Sequence, residues 1–355
     1  MAHDPRWWVL RVGAGGGERG EGLNGVQLLF EYASEKFVYV VLLEQWSAIV
    51  RGVETTEKSD SAENPADAGK SPDLPSQTAL MAAAARAAHL IVDHEPIIFA
   101  DGLAAALLGE QADELISYHR AHGTHLVLSC ARAQALCRSR FTEDHLAACV
   151  RAGFTQYVVL GAGLDSYAYR SAPGPVRVFE VDHPATQQWK RAQLAAASLP
   201  VPDCVSYVAM DFEHDQLADR LRQAGFDPSR PALVSWLGVT MYLTLTTIGR
   251  TLTEVGGFAP GTQLVTDYIL PPGLRDDTGN AYAGLVAPVA AERGEPWLTS
   301  LAPDDMSALL AGHGFGAVEH VRQRDAVPAA LWDRTDSLRP ADLSVLARAT
   351  VARPV

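Results

Sequence analysis

Three aspartates stand where strand-like stretches give way to turns. Asp165 follows Gly161-Ala162-Gly163 in QYVVLGAGLDSYAYR, Asp182 closes VRVFEVD, and Asp211 comes near the end of VSYVAMDF. Carboxylates at strand ends can accept hydrogen bonds from ribose hydroxyls or from an adenine amino group. No arginine or lysine stands among them to hold phosphate. The set suits a ligand with a hydroxylated sugar, positive charge and no phosphate. S-adenosyl-L-methionine (SAM), with its ammonium and sulfonium, is such a ligand. Nucleoside triphosphates and NAD fit less well.

The glycines point the same way. Gly161 and Gly163 let the backbone turn tightly after a β-branched and aromatic run and pass close to a ligand. A dinucleotide fingerprint needs a third glycine where this chain has Ser166, and an acid beside the loop is awkward for pyrophosphate. Each acid also has an alternative role. Asp182 can cap the helix entered through His183-Pro184, and Asp211 can cap the helix that follows it. Glu180, on the same strand face as Asp182, is the alternative ribose acceptor, but Asp182 is nearer the tip.

These residues need a sheet that brings strand ends together. After residue 153 the pattern alternates: strands over 157–160, 176–182, 205–212, 232–239 and 262–269, with helices over 183–199, 213–224 and 244–255 between them. That alternation predicts an α/β, doubly wound, mostly parallel sheet with helices on both faces. A helix over 304–313 and strands over 316–321 and 344–351 complete it. Residues 271–302, rich in Pro and Gly, read as an irregular lid over the strand ends. Residues 76–152 read as an N-terminal helical layer, with separate helices over 124–140 and 143–152, the second opened by Thr142 as N-cap. Residues 1–75 read as a poorly ordered extension, because 54–76 is polar and Pro/Ser/Asp-rich and cannot offset the entropy of ordering. Within it, 31–50 is a candidate strand or short helix.

The 355 residues carry a net charge of −13, which opposes nonspecific binding to nucleic acid or an anionic membrane. The four cysteines show no metal-ligand spacing and read as buried free thiols. The best apolar run of the N-terminus, 37–43, is too short to cross a bilayer, and no signal-peptide layout is present. A soluble cytoplasmic protein acting on a small molecule is the expectation.

From about Pro75 to Val321 the chain resembles the SAM-dependent methyltransferases of the leucine carboxyl methyltransferase-like family, especially its actinobacterial branch. The matching stretches run in order: SQTALMAAAARAAHL, RSRFTED, QYVVLGAGLDSYAYR, FEVDHP with Lys190 following, AMDF, GFDPSRPALVSWLGVTMYLT and APGTQLVTDY. The resemblance implies a class I methyltransferase, Rossmann-like fold with Gly161, Gly163, Asp182 and Asp211 lining SAM. It also implies that an arginine of RSRF, Arg138 or Arg140, pairs with the SAM carboxylate. Relatives often place a glutamate where this chain has Leu237. Compensation of the SAM ammonium then falls to Asp165, to backbone carbonyls or to another acid.

In-line methyl transfer needs an aligned nucleophile and exclusion of water. A carboxylate acceptor is already ionised near neutral pH and needs no base, whereas a hydroxyl acceptor needs one. Tyr242, His183 and Tyr268 lie after strands and are the candidate bases; none is assigned. The expected activity is O-methylation of a small molecule. The alternatives are a catalytically inactive protein of the same fold and an NAD(P)-dependent oxidoreductase.

Overall fold

A computed structural model describes residues 76–353 except 171–173 and Glu213. The extension expected over 1–75, including 31–50, lies outside the described residues. The alternation of apolar residues in the central strand builds the fold from inside out. In β1 (Gln156–Leu160), Val158 and Leu160 face one core and Tyr157 and Val159 the other. Successive side chains of a strand point to opposite faces, so a strand apolar from Tyr157 to Leu160 must be covered on both.

Seven strands form one sheet in the order β3-β2-β1-β4-β5-β7-β6. β2 (Arg177–Asp182), β3 (Val205–Ala209), β4 (Leu233–Trp236) and β5 (Gln263–Ile269) run parallel to β1. Of the last two, β7 (Ser344–Val351) is inserted between β5 and β6 (Phe315–Arg322) and is antiparallel to both, so β6 runs in the direction of β1. The order reverses at β1 and β4, so the crevice beyond their carboxyl ends is the natural ligand position.

The helices follow in chain order. α1 (Gln77–Val92), α2 (Ala104–Leu108), α3 (Ala112–His122) and α4 (Leu126–Arg151) precede the sheet. α5 (Tyr167–Arg170) follows β1, and α6 (Pro184–Ala196) follows β2. α7 (Leu217–Gln223), α8 (Leu245–Gly256), α9 (Asp277–Glu292) and α10 (Pro303–Gly312) complete the set. Leu217, Leu221, Ile248, Leu252 and Leu310 fill one core, while Ala133, Leu136, Leu146 and Cys149 of α4 fill the other.

Four expectations about these elements are corrected. α4 is one helix: Thr142, expected as a cap, is buried within it, and no Gly or Pro interrupts residues 124–152. The sequence after Pro96 reads as helical over 97–116, but this stretch breaks at Gly109, where φ is +59° and a Cβ would lie 2.1 Å from Gln193 Oε1. α7 starts four residues later than expected, at Leu217. The lid segment holds a 16-residue helix, α9. Asp276 caps it by accepting from the Gly279 N–H at 2.7 Å, and Gly279 admits the Asp342 carbonyl, which a Cβ would meet at 2.4 Å.

Beneath the ligand end of β2 lies a buried ion pair. Lys190 Nζ of α6 donates to Glu180 Oε2 at 2.7 Å, with both side chains 1% exposed. The Tyr169 hydroxyl adds a second donor at 3.2 Å, and burial raises the Glu180 carboxyl above its usual range. Removing one member of such a pair strands a charge in the core. Lys190→Met is expected to lower unfolding free energy by roughly 3–5 kcal/mol, with partial recovery in the Lys190→Met, Glu180→Gln double variant. Urea unfolding of the single and double variants checks this.

Candidate functional site

At the tip of β1 the chain turns through Gly161 (φ +65°) and Gly163 (φ +48°), conformations open to glycine and costly to other residues. The space is as restrictive as the torsion. A Cβ on Gly161 would lie 2.4 Å from Val239 Cγ2, and one on Gly163 would lie 3.1 Å from Ala79. Asp182, at the tip of β2, reaches across to this loop. Its Oδ2 accepts from the Gly163 N–H at 2.5 Å and its Oδ1 from the His183 N–H at 2.6 Å. Burial raises the Asp182 carboxyl, while the two amides pull the other way. Its neighbour Glu180 is buried, with Oε2 paired to Lys190 and Oε1 without a hydrogen-bond partner among the described residues.

Asp165 is half-buried, and its Oδ1 accepts from the Tyr167 N–H at 2.9 Å, starting α5. Ser166, in place of the third glycine, is buried, and its hydroxyl accepts from Arg170 Nε at 2.8 Å. Asp211 lies one residue beyond Met210, whose N–H is held by the Asp182 carbonyl. Its side chain is 45% exposed and pairs with His214 Nδ1 at 2.9 Å.

The two arginines of RSRF separate. Arg140 pairs with Asp144 one turn along α4. Arg138 instead packs against the tip of β4, where a Cβ on Gly238 (φ +70°) would lie 2.5 Å from its Nη1. That nitrogen is 3.5 Å from Oδ2 of Asp267. Asp267 is 3% exposed in β5, and its Oδ1 accepts from the Gly238 N–H at 2.6 Å. Sequence reasoning passed over Asp267. The signal was an acid inside the apolar run LVTDYIL, because a charge in a central strand must be paired. Asp267 thus supplies an acid beside Arg138, although Leu237 carries none.

Gly161, Gly163, Asp182, Gly238, Arg138 and Asp267 therefore line one rim at the β1/β4 switch point. The rim fits SAM: a glycine cradle for the backbone side, a carboxylate for hydroxyls, and a cation with an acid near β4 for a zwitterionic end. Asp211 extends it toward β3.

The three candidate bases are engaged elsewhere or mismatched. His183 is exposed, and its Nδ1 caps α6 by accepting from the Ala185 N–H at 3.3 Å. Tyr268 is buried and shares a hydrogen bond with His320 Nδ1 at 2.9 Å. Tyr242 sits nearest the rim, and burial with the Glu295 charge pushes its phenol up to about 12.

An ion cluster braces the glycine loop from the helical layer. Arg86 of α1 donates to Asp101 at 2.8 Å and to the Leu164 carbonyl at 2.6 Å. Arg170 lies 3.4 Å from Asp101 and also pairs with Glu143 of α4. Burial presses Asp101 upward, but the Arg86 charge, a Ser166 hydrogen bond and Arg170 hold it below its usual range. Glu143 goes the other way, to about 7: burial raises it, Arg170 opposes, and Asp165 and Asp101 add repulsion. Glu143 has to share Arg170 with Asp101, while Asp101 also has Arg86.

Among the described residues no group of His, Cys, Asp and Glu is arranged to hold a metal ion, and no helix is long and apolar enough to cross a membrane. Cys130, Cys137 and Cys149 are buried and free, and Cys204 is half-buried and free.

Comparison with known proteins covers most of this architecture. The profile of the family described as leucine carboxyl methyltransferase matches residues 79–256. YktD of Bacillus subtilis (strain 168), assigned by its name to the SAM-dependent methyltransferases, is 31% identical over 287 residues, covering 74% of this chain and 93% of that protein. A Parafrankia sp. (strain EAN1pec) protein named to the same class is 36% identical over 177 residues, 48% of this chain and 56% of its own length. A crystal structure from Thermobifida fusca YX superposes with TM-score 0.51 at 18% identity, covering 79% of this chain and 96% of that one, a likeness of fold.

The cluster gives a pH expectation. Unfolded, Glu143 releases its proton near 4.5; folded, near 7. Between these values the folded chain binds more protons, so this group's contribution to stability falls as pH rises and is lost above about pH 7. The loss is at most about 3 kcal/mol. Thermal melts from pH 5 to 8 are expected to show this decline, and Glu143→Gln to lack that component.

Proposed function

From a chain that belongs to the leucine carboxyl methyltransferase family and is a SAM-dependent methyltransferase, we propose methyl transfer to an oxygen of a small molecule. A carboxylate is the leading acceptor and a hydroxyl the second. The observation that carries this reading is the state of the candidate bases. His183 caps a helix, Tyr268 is bonded to His320, and the Tyr242 phenol holds its proton far above neutral pH. A carboxylate is the oxygen nucleophile that needs none of them. The net charge of −13 supports a small acceptor over nucleic acid.

SAM, when bound, supplies a methyl group made electrophilic by its sulfonium. Asp182 accepts from the ribose hydroxyls, Asp211 from the adenine amino group, and Gly161 and Gly163 let the backbone approach. Arg138 pairs with the carboxylate of the methionine end, and Asp267 and Asp165 offset its ammonium. The Arg138–Asp267 separation of 3.5 Å leaves the guanidinium able to take a ligand carboxylate. Tyr242 and the segment after α9 shield the β4 tip from water, and Tyr242 acts as a hydrogen-bond donor rather than a base.

Three outcomes are expected. Asp182→Ala should weaken SAM binding by roughly one to two orders of magnitude, the worth of hydrogen bonds to a charged acceptor. Calorimetry on the folded variant reads this, and unchanged affinity moves the role off Asp182. With methyl-labelled SAM and candidate acids, the transferred label should be released as methanol by mild alkali, the mark of an ester. Tyr242→Phe should keep the rate within about tenfold, since losing a general base costs roughly 10²–10⁴-fold. Alkali-stable label with a rate collapse in Tyr242→Phe would make the acceptor a hydroxyl.

A further inference from the structure

A cavity of about 490 Å³ opens between α9 and the chain that returns from it toward β5. Its walls include Ile269 at the end of β5, Ala283 and Ala287 of α9, and Trp297 and Leu298 of the returning segment. That segment is fastened to the sheet's ligand end. The Leu298 and Thr299 N–H groups donate to the Met241 carbonyl at 2.7 and 3.2 Å, and the Leu301 N–H donates to the Ile269 carbonyl at 2.9 Å. Trp297 packs with Tyr242 in one apolar cluster. The cavity therefore adjoins the turn after β4, on the rim where ligands of such sheets bind.

One charge lies in this apolar wall. Arg275 is half-buried, and its Nε donates to the Leu270 carbonyl at 2.6 Å, which fixes the guanidinium. Among the described residues that carbonyl is the guanidinium's only hydrogen-bond partner, and no carboxylate pairs with it. The nearest acid in sequence is committed: Asp276 Oδ1 accepts from the Gly279 N–H and Oδ2 from the Asp342 N–H. Burial lowers the Arg275 pKa, so an anion there would relieve a cost the fold already carries. Leu298 is 55% exposed, an apolar surface left open to a ligand.

We infer that this cavity is the acceptor-binding site and that Arg275 is its anion anchor, taking an apolar small molecule that bears a carboxylate. The fixed guanidinium presents its remaining N–H groups as a fork to the two carboxylate oxygens, and the Ile269–Ala283–Trp297 walls cover the apolar body. The inference rests on the reading of a small carboxylate acceptor given above, and the two can fail separately.

Octanoate and its uncharged analogue octanamide are the probes, titrated calorimetrically into the full chain held with S-adenosylhomocysteine so that no turnover occurs. Octanoate is expected to bind about tenfold or more tightly than octanamide, as expected for hydrogen bonds to a charged group. In Arg275→Gln the two probes should bind alike, with S-adenosylhomocysteine affinity and melting temperature unchanged. Equal binding of the probes to the unaltered chain, no binding of either at millimolar concentration, or a preference that survives in Arg275→Gln would each overturn the site. Arg275-dependent octanoate binding without ester formation on any acid would keep the site and sink carboxylate methylation. Ester formation with unchanged KM in Arg275→Gln would keep the methylation and sink the site.

Discussion

Val239, just beyond β4, occupies the space that a side chain on Gly161 would need. The ligand side of the fold depends on this close approach. It brings the turns after β1 and β4 together at the point where strand order reverses. Gly238 repeats the device one residue earlier, since only the absence of a Cβ lets the Arg138 guanidinium lie against the β4 tip. Asp182 and Asp267 then tie down the two turns through the Gly163 and Gly238 amides. The rim is held by backbone hydrogen bonds to carboxylates.

The interior balances its charges more closely than the acidic composition implies. Glu180 has Lys190, Asp101 has Arg86, Asp93 has Arg132 at 2.8 Å, and Asp267 has Arg138. A buried acid without a partner is too costly to keep, so these cations are taken up inside. The exceptions lie at the ligand side. Glu143 has to share Arg170 with Asp101, and Arg275 has no described acid at all. Imbalance of that kind is tolerable where a proton or a ligand can settle it.

The sheet class, the glycine turn and the tips of β2 and β3 were legible because each rests on local pattern. A β-branched run ending in Gly-x-Gly has few conformations open to it, and an acid closing an apolar strand has to meet either a helix N-terminus or a ligand. Elements whose local signals conflict were harder to read. The Gly and Pro content of residues 271–302 hid α9, whose helix depends on Asp276 as cap and on packing against α4. Thr142 looked like a cap and is an interior residue of α4, because burial against the sheet overrode its preference.

Local sequence determined which strands exist, that they run mostly parallel, and that acids stand at their tips, because strand period and turn chemistry act over a few neighbouring residues. It preferred Asp182 to Glu180 for its place nearer the strand tip and left Arg138 and Arg140 open, since spacing says which face a side chain takes but not what waits there. Tertiary structure shows what each of them meets. Arg138 meets Gly238 and Asp267, from segments about a hundred residues or more away in the chain, and Glu180 meets Lys190 from the next helix. Such pairings are set by how strand ends and helix faces converge in space, and charges in a low-dielectric interior then accept only the arrangement that pairs them.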